Sequence, residues 1–311
     1  MLTYIVVLLD DTSVSFCHYD INRTERKLIG IDFLREAVLF AMKENLNVQF
    51  VYPDYVLPQE YRDVIETIDH TKIGPVSCGE DLDMTIVNSL AFEPSRDKAY
   101  LWRCSLGNLA VEMNAIARIL PKIARLNVIL TDIQQWSEDS FSTYDCILKF
   151  LANAIADYFK QGISVQFNLL TDRIMIGKMN NCNAGDTSIT LAPNGMFYIC
   201  PAFYPKSSVG SLADGINIPN KQLYRLDHAP ICRKCDAFQC KRCIWLNEML
   251  TLDCNTPSHE QCVASHLERN ASRMLLGLLD KYGVRLEEYN EIEEINYLDP
   301  FNILNKWNRE R

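Results

Sequence analysis

The chain has 311 residues, of which 48% are hydrophobic and 23% charged, enough to bury one large or two ordinary cores. A formal net charge of −9 and a pI near 5.1 argue against nucleic acid and anionic membrane as partners, because the summed field repels both. Twelve cysteines are too sparse for a disulfide-stapled miniprotein, and no apolar run approaches the roughly 18 to 20 residues of a membrane span.

The opening stretch MLTYIVVLLDDTSVSF lacks a basic flank and meets Asp10 and Asp11 after a short apolar run. It therefore reads as a buried first strand and not as a signal peptide. IDFLREAVLFAMKENL sets Phe33, Leu34, Ala37, Val38, Phe40 and Ala41 at helical spacing, and NVQFVYPD returns to strand and closes on Pro53. LPQEYRDVIETID predicts a second helix, and HTKIGPVSC and DLDMTIVNSL two more strands. The rhythm continues through the strand AYLWRCSL, the helix NLAVEMNAIARIL, the strand RLNVILTD, a long helix from about Thr143 to Lys160, and the strand ISVQFNLL. Alternation of this kind implies a mainly parallel sheet with crossover helices, as an open sheet or a partial barrel.

After Leu170 the composition shifts toward Asn, Gly, Pro and Cys. DTSITLAPNGMFYIC predicts a hairpin turning at Pro193, Asn194 and Gly195. Helix returns with CVASHLERNASRMLLGLLDKYG, where Leu267, Met274, Leu275 and Leu278 form one face and Gly283 is the stop. The tail EEYNEIEEINYLDP is acidic with interleaved Ile and Tyr, the pattern of a solvated edge or docking segment.

Eight of the twelve cysteines fall between Cys182 and Cys262. The densest stretch, ICRKCDAFQCKRCIWL, holds Cys232, Cys235, Cys240 and Cys243, two Cys-x2-Cys pairs of the kind that point both sulfurs at one metal. Spacing leaves zinc and iron-sulfur both open, since each accepts four tetrahedral thiolates. Arg233, Lys234, Lys241 and Arg242 read as cations that offset the negative charge of such a site. A cytoplasmic location is expected, because in a reducing compartment clustered thiols hold metal more often than they form disulfides. His259 and His266 flank Cys262 and could ligate or hydrogen-bond the metal group, with a capping or surface role as the plainer reading. Asp10 and Asp11 end the first strand, where such sheets collect catalytic residues, and read more plainly as loop-capping carboxylates. Cys17, Cys78, Cys104 and Cys146 lie far apart and read as ordinary buried or free thiols. With no phosphate-binding Gly-rich loop, nucleophile elbow or His-Glu-x-x-His helix, hydrolase and kinase chemistry lack support, and no catalytic residue is assigned.

Cys182, then Gly195-x4-Cys200, the four-cysteine knot and a later cysteine together resemble the SPASM domain, the C-terminal module of radical S-adenosylmethionine (radical SAM) enzymes that modify ribosomal peptides. The resemblance implies auxiliary [4Fe-4S] clusters, with Cys182, Cys200 and Cys243 sharing one site and Cys232, Cys235, Cys240 and Cys262 completing another. The knot departs from the family in its spacers of four and two, where five and three are usual, and MIGKMNN before Cys182 offers no extra ligand. Cys254 is the natural candidate for the missing position, with His259 or an open coordination site as alternatives.

A radical SAM enzyme carries a Cys-x3-Cys-x2-Cys loop after its first strand, whereas here only Cys17 stands there. Over nearly its whole length the chain resembles the CXXX repeat peptide maturase family, most clearly in LAPNGMFYICPAFYP and APICRKCDAFQCKRCIWLNEMLTLDCNTPSHEQC. The fold so implied is α/β: a partial (βα) barrel-like domain over 1–175 that resembles a radical SAM barrel without its catalytic cluster. A Cys-rich SPASM-like metal-binding domain follows over 176–265, then a C-terminal helix and acidic tail over 266–311. The function implied is that of an accessory maturation protein with one or two [4Fe-4S] clusters and no S-adenosylmethionine of its own. Its expected partners are a radical SAM peptide maturase and a cysteine-rich precursor peptide. The alternative is a Zn2+-stapled module that binds the peptide or docks the partner.

Overall fold

The computed structural model describes residues 2–20, 23–177, 182–229, 232–235, 237, 240, 243–286 and 289. In chain order the first elements are β1 (Tyr4–Leu8), α1 (Ile31–Glu44), β2 (Asn47–Val51), α2 (Gln59–Ile65), β3 (His70–Pro75) and β4 (Met84–Val87). They are followed by β5 (Ala99–Cys104), α3 (Leu106–Ile119), β6 (Arg125–Leu130), α4 (Glu138–Lys160) and α5 (Asp172–Met175). The last are β7 (Ser188–Leu191), β8 (Met196–Tyr198), β9 (Ser208–Ser211), β10 (Gly215–Ile216), α6 (Ile244–Thr251) and α7 (His259–Lys281). Two compact units result, one of Met1–Val87 with Asn183–Tyr224 and the other of Asn88–Cys182 with Arg225–Arg311.

The first unit is built on a sheet in which β7, β1, β2, β3 and β4 lie parallel in that order. β8, β9 and β10 extend it antiparallel beyond β7. YIVVL of β1 is buried at four of its five positions, as expected of a central parallel strand covered on both faces. Ile5, Val7 and Leu9 meet Leu34, Ala37, Val38 and Ala41 of α1 and Phe50, Leu191 and Phe197 of the neighbouring strands in one apolar core. The expected hairpin is β7 and β8, paired Thr190 to Tyr198 and Leu191 to Phe197. Gly195 takes a φ of +77° at its turn, beside the Phe33 ring. The pair β9 and β10 had no sequence signal strong enough to announce it. It depends on Gly210, where a Cβ would stand 1.9 Å from the Gly215 carbonyl oxygen, so only glycine permits that approach.

The second unit contains the parallel pair β5 and β6, and α4 packs against both α3 and α7. α4 begins at Glu138, five residues before the Thr143 expected. Its first turn is polar and is held by the Ser137 N–H donating to Ser140 Oγ at 3.1 Å, with Glu138 and Asp139 placed favourably at the positive end of the helix dipole. α7 likewise starts before Cys262, at a reciprocal cap: Gln261 N–H donates to Ser258 Oγ at 3.3 Å, and Ser258 N–H to Gln261 Oε1 at 3.1 Å. Its buried face runs Leu267, Ala271, Leu275 and Leu279, so Leu279 takes the core position expected of Leu278, and Met274 sits at the margin.

ISVQFNLL does not form a strand. One parallel bridge joins Phe167 to Leu126, and the Asn168 side chain then replaces the ladder by accepting from Val128 N–H at 2.8 Å and donating to Val128 O at 2.9 Å. The chain turns at once, because Thr171 Oγ1 accepts from Phe167 N–H at 2.8 Å and Thr171 N–H donates to Phe167 O at 2.8 Å. α5 then delivers Arg173, 1% exposed, to Glu268 of α7 and to the Leu169 carbonyl at 3.0 Å. Tyr144 of α4 donates to the same Glu268 carboxylate at 2.7 Å. Burial, reinforced by that carboxylate, pushes the Tyr144 pKa well up and keeps it a donor. Among the described residues no helix is long and apolar enough to cross a membrane. The acidic tail, apart from Tyr289, lies outside the described residues.

Candidate metal centre

The cysteine stretch of the second unit is laid down by short turns. Leu226–His228 and Cys232–Lys234 each form a single 3-10 turn, and Arg233 N–H donates to Ala229 O at 3.0 Å. Cys235 N–H closes on Cys232 O at 3.0 Å and Cys240 N–H on Ala237 O at 2.8 Å, so the first Cys-x2-Cys pair forms the tight turn its spacing implied. α7 then brings Cys262 and, one turn later, His266 to the same place.

Cys232, Cys235, Cys240 and Cys262 line one cavity of about 20 Å³, closed by Leu226, Ala237, Pro257, Ser265 and His266. These are the four residues that the resemblance groups into one complete site. The Cys235 sulfur lies 3.5 Å from His266 Nε2 and accepts the Ala237 N–H at 3.4 Å, contacts that suit a sulfur carrying negative charge. The donor set fits a tetrahedral thiolate group. Four thiolates of this kind can hold either Zn2+ or a [4Fe-4S] cluster. Among the described residues no three or more His, Cys, Asp or Glu side chains are drawn together as a closed metal site.

The other four sequence-predicted cysteines are placed differently. Cys243 is buried and caps α6, and Cys254 is half-buried. The Cys254 carbonyl accepts from Asn247 Nδ2 at 2.9 Å, and Gln261 Nε2 donates to Asn247 Oδ1 at 3.1 Å. Fully buried Asn247 therefore ties the Cys254 loop to the cap of α7. Cys182 is exposed in the second unit, and Cys200, half-buried, belongs to the first. Of the cations around the knot, Arg233 is exposed, while Lys241 and Arg242 lie outside the described residues, as does the Lys234 side chain.

His266 departs from the plain surface or capping reading: it is 7% exposed and faces the cysteine cavity. His259 opens α7 with its ring edge-on to Phe141, centroids 5.9 Å apart. Arg269, which the sequence reading passed over, donates from a guanidinium nitrogen to His266 Nδ1 at 3.2 Å. Cys262, His266 and Arg269 stand at i, i+4 and i+7 of one helix, a spacing that could have flagged them as one face.

In the loop after β1, Asp10 is 1% exposed. Its Oδ1 accepts from Thr12 N–H at 2.7 Å and Thr12 Oγ1 at 2.5 Å, and its Oδ2 from Tyr55 OH at 2.8 Å. Asp11 accepts from Tyr204 OH at 2.6 Å. Burial and then the bonded carboxylate raise the pKa of both tyrosines. Both aspartates thus cap the loop, the plainer of the two readings. Cys17 is half-buried, Cys78 and Cys104 are buried and Cys146 is exposed. Burial raises the Cys78 thiol pKa and pushes that of Cys104 up to about 12, which suits inert thiols.

Compared by sequence, the chain matches no protein-family model and no curated protein. Compared by structure, it is similar to native anSMEcpe with bound AdoMet and the Cp18Cys peptide, at 12% identity and a TM-score of 0.59, over 90% of this chain and 99% of that one. It is similar also to hexahistidine-tagged anSMEcpe with bound AdoMet, at 12% identity and a TM-score of 0.60, over 91% of this chain and 96% of that one. At this identity the likeness shows the fold alone: an α/β fold with a large, mostly parallel sheet shared with anSMEcpe.

Proposed function

We propose that this protein is an accessory component of a ribosomal-peptide maturation system of the CXXX repeat type, working in the cytoplasm with a separate radical SAM enzyme. The observation that carries this reading is the cavity lined by Cys232, Cys235, Cys240 and Cys262, within an α/β fold like that of anSMEcpe in which the loop after β1 offers only Cys17. Three thiolates are needed to leave one iron free for the cosubstrate, and the loop after β1 supplies one. In this reading 1–175 is the scaffold, 176–265 the metal-binding domain, and 266–311 the C-terminal helix and acidic tail. The four cavity cysteines hold a [4Fe-4S] cluster, which when bound supplies one-electron transfer. The resemblance assigns Cys182, Cys200 and Cys243 to a second cluster, with Cys254 as the candidate for the missing ligand. The protein acts either by relaying electrons through the clusters or by binding the substrate peptide, and radical generation belongs to the partner.

The test combines anaerobically purified protein with S-adenosylmethionine and a strong reductant, with and without the partner enzyme and a Cys-x-x-x repeat peptide. The reading expects 5′-deoxyadenosine only with the partner, and peptide modification only when both proteins are present. 5′-Deoxyadenosine formed by the isolated protein overturns it. The second reading is a Zn2+-stapled binding module, for which the same four cysteines supply a full set of thiolate ligands.

A further inference from the structure

The cavity cysteines leave one neighbour without an assigned task. His266 is buried, faces the cavity and has its two ring nitrogens in different company: Nε2 lies 3.5 Å from the Cys235 sulfur and Nδ1 lies 3.2 Å from an Arg269 guanidinium nitrogen. Arginine only donates and does not lose its proton in proteins. Nδ1 is therefore an acceptor without a hydrogen, and the ring proton sits on Nε2, aimed at Cys235. A nitrogen that carries a proton offers no lone pair to a metal, so in this arrangement His266 is not the ligand its place beside Cys262 could suggest.

Hydrogen bonds to ligating sulfurs draw electron density from the cluster and raise its reduction potential. The Ala237 N–H already donates to Cys235 at 3.4 Å, and the His266 Nε2–H adds a second donor on the same sulfur. Arg269 itself is 8% exposed, so its positive charge is delivered to the same face of α7 with little screening by water. We infer that His266, locked by Arg269 into its Nε2–H tautomer, is a positioning residue that hydrogen-bonds the Cys235 thiolate and raises the electron affinity of the cluster on Cys232, Cys235, Cys240 and Cys262. The inference rests on the cluster reading given under the proposed function.

The test is a reductive titration of the anaerobically purified full chain, followed by electron paramagnetic resonance, with iron and acid-labile sulfide measured on each sample. The relevant signal is the one that Cys232→Ser removes. His266→Leu is expected to retain iron and sulfide and to shift that signal to a more negative potential. His266→Gln, whose amide N–H can still donate, recovers most of the shift. Arg269→Met, which releases the tautomer, gives a negative shift with metal content intact, and it carries the test if His266→Leu does not fold. Loss of this site's iron in His266→Leu makes His266 a ligand and overturns the inference, as does an unmoved potential in the fully loaded variants. Wild-type protein with zinc and no sulfide, or with no metal, overturns the cluster reading and the tuning together. A loaded wild type with unmoved variants overturns the tuning alone.

Discussion

Between Ile5 and Leu82, inward-facing positions of the first unit's strands and helices are filled by Ile, Val, Leu, Phe and Tyr that touch one another in a single core. Between Leu226 and Cys262, the buried apolar residues among those described are Leu226, Ala229, Ala237, Cys243, Ile244, Leu246 and Pro257, and single 3-10 turns precede α6. The first region holds its shape by removing apolar surface from water, at roughly 25 cal/mol per Å². The second has too little such surface to offset the entropy of ordering its turns. What it has in quantity is thiols. In the proposed reading, a metal group bound only by the folded chain would supply the missing free energy, and folding and loading would become one event.

Metal removal should separate the two regions most widely. Structural metal sites contribute on the order of 10 kcal/mol or more, so chelation is expected to expose 226–262 to protease and hydrogen exchange while β1–β4 stay protected. Equal protection before and after chelation would erase the contrast. Phe197→Ala sharpens it from the other side: that ring is fully buried in the apolar core, and its loss should cost about 3 to 5 kcal/mol, by the same amount with and without metal in denaturant titration. A comparable cost, about 3 to 5 kcal/mol, is expected of Glu268→Ala, which strands buried Arg173 and removes the acceptor of Tyr144.

Asn247→Ala should cost less, about 1 to 3 kcal/mol, because it leaves the Cys254 carbonyl and Gln261 without their shared partner. If Cys254 serves the second site, the same variant should lower iron content there, read as fewer irons per chain. The smallest effect belongs to Cys104. Burial, with Asp132 as the lesser cause, raises its pKa from 9.0 to about 12, so the unfolded chain ionises first as pH rises. Its contribution is therefore present below about pH 9 and lost progressively between about pH 9 and 12. At pH 8, alkylation followed by peptide mapping should label exposed Cys146 and spare Cys104 in native protein.

The same contrast explains what could be read from the sequence. YIVVL and NVQFV announce strands because a parallel sheet buries both faces and writes itself as an apolar run. The start of α4 was invisible to periodicity, since SEDSFS encodes a cap and not a stripe, and Ser258-x2-Gln261 is a cap of the same kind. ISVQFNLL alternates only as far as Phe167, with Val165 and Phe167 buried and Gln166 exposed; Asn168, Leu169 and Leu170 are then all buried, because Asn168 spends its side chain on Val128 and ends the ladder, a tertiary choice no local pattern records. The four cavity cysteines were legible from spacing and resemblance. The orientation of His266 was not, because it depends on Arg269 reaching Nδ1 across one turn of α7.

The most direct measurement is the metal and acid-labile sulfide stoichiometry of anaerobically purified wild type beside Cys232→Ser. A [4Fe-4S] cluster on Cys232, Cys235, Cys240 and Cys262 predicts brown protein with equal iron and sulfide, and a loss of about four of each per chain in Cys232→Ser. Colourless protein with stoichiometric zinc and no sulfide, or iron and sulfide unchanged by Cys232→Ser, would contradict it.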